Sequence, residues 1–191
     1  VEVDRCGEAG SLSRRRPELG GGVEGLPRAE GRCDSALALG RGVVGGFDGV
    51  HFRIFDTRNT PALGDDYVET LCQTRDGALW IGSRDGASRL SGRILTKFFH
   101  GRNPAAAVRS FAELPGGEIW FAEGNGVGRY NGRFKKFGSE TGLSGTAYVV
   151  SPDGAGGLWV GTSTGLFRLD AGRALSYPLN PTDPDKGVRA I

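Results

Sequence analysis

The chain has 191 residues, enough for one domain with a sizeable core. Its 34 glycines, 9 prolines and 10 phenylalanines describe many tight turns carrying aromatic side chains, not a disordered polymer. With 24 Lys and Arg against 22 Asp and Glu, the net charge is +2 and the only basic run is Arg14-Arg15-Arg16, so nucleic acid is not an expected partner.

Residues 1–35 are rich in Gly, Arg and Glu, lack any apolar period, and are expected to be disordered. The change of composition at their end is abrupt, and a non-native, out-of-frame segment would explain it. They also lack the continuous apolar stretch of a secretory signal. Cys6, Cys33 and Cys72 form neither a CxxC pair nor an even set, so free thiols are expected. No apolar run is long enough to cross a bilayer, and no direct membrane contact is expected.

From residue 36 onward the chain repeats. Trp80, Trp120 and Trp159 stand 40 and 39 residues apart in one local frame. The three frames are Leu79-Trp80-Ile81-Gly82-Ser83, Ile119-Trp120-Phe121-Ala122-Glu123 and Leu158-Trp159-Val160-Gly161-Thr162. Upstream, Tyr67-Val68-Glu69-Thr70-Leu71 aligns with Ala107-Val108-Arg109-Ser110-Phe111 and with Ala147-Tyr148-Val149-Val150-Ser151. Downstream, Arg89-Leu90, Arg129-Tyr130 and Arg168-Leu169 each precede a Gly turn and then an aromatic residue, Phe98, Phe137 or Tyr177. Each unit reads as four short strands bounded by Gly, Asn or Asp. Four strands per repeat of about 40 residues, with no helical period, is the pattern of propeller blades.

The expected fold is therefore all-β, a partial β-propeller of about three four-stranded antiparallel blades plus incomplete flanking strands. A partial blade is placed at 39–56, whole blades at 67–99, 107–137 and 147–178, and the first strand of a next blade at 187–191. A ring needs about four or more blades to close, so the chain is expected to be a fragment of a longer propeller.

The frames Asp76-Gly77-x-Leu79-Trp80-Ile81-Gly82-Ser83 and Leu158-Trp159-Val160-Gly161-Thr162-x-x-Gly165-Leu166-Phe167-Arg168-Leu169 resemble the two-component regulator propeller repeat, over roughly residues 39–191. The second unit departs from it, with Pro115-Gly116 at the Asp-Gly turn and Ala122-Glu123 for Gly-Thr. The resemblance implies the sensor propeller of hybrid histidine kinases and diguanylate cyclases. It also implies a periplasmic or extracytoplasmic location, a small-molecule or oligosaccharide ligand and a signalling output domain elsewhere in the parent chain. No cofactor is implied.

The three tryptophans are read as structural blade core, filling the space between neighbouring blades. In Asp76-Gly77 and Asp153-Gly154 the Asp caps its own turn and the Gly takes a positive φ. His51 and His100 have no partner at a ligand spacing, so neither a metal nor a catalytic residue is expected. In a propeller the loops entering strand one and those joining strands two and three share a face. On that face Arg84, Asp85, Glu123, Asn125, Ser163 and Thr164 are the candidate ligand contacts, with Asp65 and Asp66 as a further pair. A non-catalytic sensor module is the leading reading. A propeller enzyme, a lyase or glycan-active enzyme, would need a convergent acid–base set. A protein-interaction scaffold would need an exposed apolar patch.

Overall fold

A computed structural model of the chain describes residues 36–39, 43–47, 52–92, 94–100, 106–177 and 187–191, with side chains from Ile54 onward apart from those of Phe99 and His100. The segment 1–35 expected to be disordered lies outside the described residues. A three-stranded sheet comes first: β1 (Ala36–Leu39), β2 (Val43–Phe47) and β3 (Phe52–Phe55). Three four-stranded sheets follow. They are β4 (Val68–Gln73), β5 (Leu79–Ser83), β6 (Gly86–Ser91) and β7 (Ile94–His100); β8 (Val108–Glu113), β9 (Ile119–Glu123), β10 (Gly126–Tyr130) and β11 (Phe134–Phe137); and β12 (Ala147–Pro152), β13 (Leu158–Thr162), β14 (Gly165–Asp170) and β15 (Arg173–Tyr177). Within each sheet, strands neighbouring in sequence pair antiparallel, and among the described residues the sheets do not close into a ring. The all-β partial propeller expected from the repeat is the observed fold.

Strand one of each blade, β4, β8 and β12, packs against strand one of the next, so these strands form the hub and strand four lies outermost. Each strand-two indole meets the ring at the end of its own strand four. Trp80 lies 4.8 Å from Phe98, Trp120 lies 5.1 Å from Phe137 and Trp159 lies 4.8 Å from Tyr177. The next blade then covers it: Trp80 also meets Phe111 at 5.9 Å and Tyr130 at 5.5 Å. Trp80 and Trp120 are buried, and burying each contributes on the order of 2–3 kcal/mol.

Two size rules set the blade spacing. Across strands two and three, a large residue faces a small one or a medium one faces a ring: Ile81 with Ser88, Phe121 with Gly128, Val160 with Phe167. Two residues after the indole, Gly82 and Gly161 let the next hub strand approach. A Cβ on either would stand 2.6 Å from the backbone oxygen of Val108 or Val188. The second blade carries Ala122 there, fully buried.

The turn joining strands one and two supplies a carboxylate to the arginine opposite each indole. Asp76 Oδ2 accepts from Arg89 Nη2 at 2.6 Å, and Asp153 Oδ2 from Arg168 Nε at 2.7 Å. Their Oδ1 atoms cap the turn, accepting from Ala78 N in one case and from Ala155 N and Gly157 N in the other. Gly77 and Gly154 take φ of 81° and 76°. The two Asp are not equivalent, because Asp76 stands four residues before its indole and Asp153 six. In the second blade Glu118, two residues before Trp120, faces Arg129 at 3.5 Å.

Two expectations need correction. Val68, Val108 and Ala147 occupy one position, each 12 residues before its indole, so the aligned third unit shifts by one residue. The cause is the step of 39 between Trp120 and Trp159, which a uniform step of 40 overruns. Cys72 is disulfide-bonded, so the three-free-thiol reading fails. An odd count leaves one cysteine over without preventing a pair.

Gly128 offers a direct test of the size rule. A Cβ there would lie 2.2 Å from the buried Phe121 ring, whereas one on Gly116 meets nothing within 4 Å. Gly128→Ala is expected to lower unfolding stability by about 1–3 kcal/mol, and Gly116→Ala to stay within about 0.5 kcal/mol, both read from urea midpoints. Equal effects would refute the packing account.

Candidate functional site

The turns joining strands two and three lie at the same end of the blades as the segments entering strand one: Arg84 N donates to Tyr67 O at 3.2 Å and Ser163 N to Thr146 O at 2.9 Å. In the first and third blades a buried hydroxyl closes the turn. Ser83 Oγ donates to Gly86 O at 3.3 Å and accepts from Asp85 N at 3.3 Å. Thr162 Oγ1 donates to Gly165 O at 3.1 Å and accepts from Thr164 N at 3.1 Å. Glu123 takes this position in the second blade, only 4% exposed, on the sheet face it shares with Gly126 and Gly128. Lys136 Nζ stands 3.1 Å from its Oε1, off the line of a hydrogen bond. Burial pushes the Glu123 carboxyl above the usual range, and Lys136 draws it only partly back.

The eight expected contact residues fall into separate groups. Asp65 Oδ1 accepts from Tyr67 N at 2.7 Å and Asp66 Oδ1 from Thr57 N at 2.6 Å, so both hold the connector entering the first blade. Arg84 lies over the Tyr67 ring at 3.5 Å with Nε 3.6 Å from Glu69 Oε1. Asp85 is half-buried beside it. Asn125 is exposed at the tip of the second blade's turn. Ser163 Oγ accepts from Thr146 N at 2.9 Å, and Thr164 Oγ1 donates to Ser144 O at 2.9 Å. Thr164 joins Ser144 and Thr162 in one polar knot. The side chains of His51 and His100 lie outside the described residues.

The structure adds residues that loop reasoning passed over. Each hub strand carries a β-bulge at one place, between Val68 and Thr70, between Val108 and Ser110, and between Ala147 and Val149. A bulge leaves one residue out of the ladder and re-aims it. That residue is Glu69, Arg109 or Tyr148. Residues 187–191, the expected first strand of a next blade, are without strand structure; Val188 N donates to Thr162 O at 2.9 Å, with Arg189 next to it. Arg189 lies 4.9 Å over the Tyr148 ring, while Arg109 is half-buried with Nη1 lacking a hydrogen-bond partner. Adjacent hub strands are tied at this level, Ser110 Oγ accepting from Val150 N at 3.2 Å. The readable signal was the alternation of Glu, Arg, Tyr and Arg at one position of an otherwise repetitive frame. Among the described residues, no group of three or more His, Cys, Asp and Glu is placed to hold a metal, and no helix is long and apolar enough to cross a membrane.

Four-stranded meanders stacked through their hub strands and carrying polar turns on one end define the class: this is β-propeller structure. Within it, the model of the two component regulator propeller family matches residues 62–85, the entry and first two strands of the first whole blade. No curated protein matches the sequence. Among solved structures, virginiamycin B lyase from Staphylococcus aureus is similar with a TM-score of 0.61 at 18% identity, over 77% of this chain and 51% of the lyase. The extracellular domain of the hybrid two component system BT3049 from B. thetaiotaomicron gives 0.58 at 21% identity, over 79% of this chain and 21% of that one. The extracellular domain of the one component system BT4673 from B. thetaiotaomicron gives 0.61 at 17%, over 76% and 21%. The chain thus spans about half the length of the lyase and about a fifth of the two extracellular domains. At these identities the likeness is one of fold.

The raised carboxyl of Glu123 has a signed consequence. A folded state that holds this proton more tightly than the unfolded chain loses stability as pH rises through the ordinary Glu range to the raised value. Glu123→Gln is therefore expected to melt above the parent at neutral pH, with the gap closing below about pH 4. A lower melting point at neutral pH would mean that Lys136 outweighs burial.

Proposed function

We propose that the chain is part of a ligand-sensing propeller of a two-component-type receptor, a binding module without catalysis of its own. The observation that carries this reading is the repeated hub bulge. It presents Glu69, Arg109 and Tyr148 from three successive hub strands, with Arg189 from the segment 187–191 beside them, on the end of the blades that also bears the polar turns. Two arginines, a tyrosine and a carboxylate held on a rigid scaffold suit a polar small molecule or oligosaccharide, with the ring as a stacking platform and the arginines as donors. The family match over residues 62–85 supports a sensor role. A binding module is favoured over an enzyme because three of the carboxylates near this face are engaged structurally, Asp65 and Asp66 in turn capping and Glu123 beneath the surface beside Lys136. An extracytoplasmic location agrees with the disulfide at Cys72, since such bonds persist in oxidising compartments. The ligand would act on an output domain in the parent chain.

Thermal-shift screening of the chain against oligosaccharides, amino acids and organic acids tests the reading. A ligand that raises the melting temperature is expected to lose at least about tenfold in affinity in Arg109→Ala and Tyr148→Ala, roughly 1.4 kcal/mol each. The unliganded melting temperature should barely move, and the ligand should be recovered unchanged. Unaltered affinity in both variants, or conversion of the ligand, would overturn it.

A further inference from the structure

The opposite end of the blades holds a cavity of about 330 Å³ between the second and third blades, within the size range of small-ligand sites. Trp120, Phe137 and Leu169 form its apolar walls, and Glu118, Arg129 and Lys135 bring charge to it. Its origin is legible by comparison with the neighbouring interface. Over Trp80, the second blade lays Phe111 and Tyr130, and Tyr130 closes edge-on against Phe98 at 4.7 Å. The same two ladder positions in the third blade are Val150 and Leu169, opposite Val160 and Leu158. Two rings are thus replaced by two aliphatic side chains over Trp120, and the space remains.

The polar groups around the cavity are unevenly satisfied. Glu118 faces Arg129 Nη1 at 3.5 Å and accepts from Asn131 Nδ2 at 3.3 Å. Asp170, at the cavity's edge, faces Arg168 at 4.0 Å. The donors fare otherwise: Trp120 Nε1 and Arg129 Nε are both buried without a hydrogen-bond partner, in a residue 93% buried in the first case. Lys135 Nζ rests 4.8 Å from the Phe137 ring. Buried donors are seldom left unmet in folded proteins, and here they accompany two cations and two aromatic walls. The unmet demand is for an acceptor of negative charge attached to a flat apolar body.

We propose that this cavity is a binding site for small carboxylates carrying a planar apolar group, with Arg129 and Lys135 receiving the carboxylate and the packed rings of Trp120 and Phe137 forming one wall against the body. The site is separate from the hub loops and does not depend on the sensing assignment made for them.

Benzoate, acetate and benzyl alcohol probe the three requirements on the full chain, with the indole N–H resonance of Trp120 as reporter in a nitrogen-15 correlation spectrum. Benzoate is expected to shift that resonance saturably, and acetate and benzyl alcohol to bind at least about tenfold more weakly. Leu169→Tyr, which restores the ring found over Trp80, is expected to abolish the response while preserving the dispersed spectrum of a folded chain. Should that variant not fold, Lys135→Gln decides, since Lys135 lies on the outer strand at the cavity mouth, and at least about a tenfold loss of benzoate affinity is expected. No shift up to about 50 mM benzoate, equal binding of benzyl alcohol, or an undiminished response in a folded Leu169→Tyr or in Lys135→Gln would overturn the proposal.

Discussion

A single blade has two apolar faces and four short strands, too little to bury a core alone, so its stability comes from what lies on each strand-two indole. Trp80 shows the full arrangement: its own Phe98 on one side, and Phe111 and Tyr130 of the following blade on the other. Trp159 has Tyr177 from its own blade but no following ring among the described residues, and it is only half-buried. The energy of such an array resides in interfaces between neighbours. The buried apolar clusters bear this out, one spanning the first and second blades and another the second and third. Every polar feature of the molecule is arranged around these contacts.

That framework was readable because its parts obey local rules. The indole frame, the Gly after it and the aromatic on strand four recur by necessity: a hub strand approaches at Gly82 and Gly161, and a ring must meet each indole. The bulge was not readable, since Val68-Glu69-Thr70-Leu71 looks like an unbroken strand unless pairing with Ser83 and Gly82 is known. Loop reasoning therefore chose Asp65 and Asp66, which cap their connector, and passed over Glu69 and Arg109. The disulfide at Cys72 escaped for another reason, because neither a CxxC spacing nor an even count marks a pair in the sequence.

The carboxylate opposite each strand-three arginine shows how a physical requirement can outlast its sequence position. Arg89, Arg129 and Arg168 all sit across the ladder from an indole, and each is met from the turn below. Thr74 Oγ1 and Arg89 both bond Asp76 and hold its carboxyl below the usual range. Burial alone would raise Asp153, but Arg168 and the Ala155 and Gly157 amides outweigh it. Both clamps thus favour the folded state above the ordinary Asp range and lose that contribution as pH falls toward their lowered values. Glu118 reaches Arg129 only at 3.5 Å, leaving Nε unmet. The weakest clamp and the open cavity occur at the same interface.

The second blade therefore departs from its neighbours at both ends: a buried carboxylate replaces the turn hydroxyl at one, and a loose clamp with a cavity stands at the other. Neither departure serves packing. Glu123 costs desolvation that Ser83 and Thr162 avoid, and Trp120 loses the ring cover that Trp80 enjoys. Because the array is held together by neighbour contacts alone, a ligand seated between two blades adds directly to one interface energy, with no need for a path through the core. A ligand at the hub bulges would span successive blades, and one in the cavity would span the second and third. Either would stiffen a joint between neighbouring sheets.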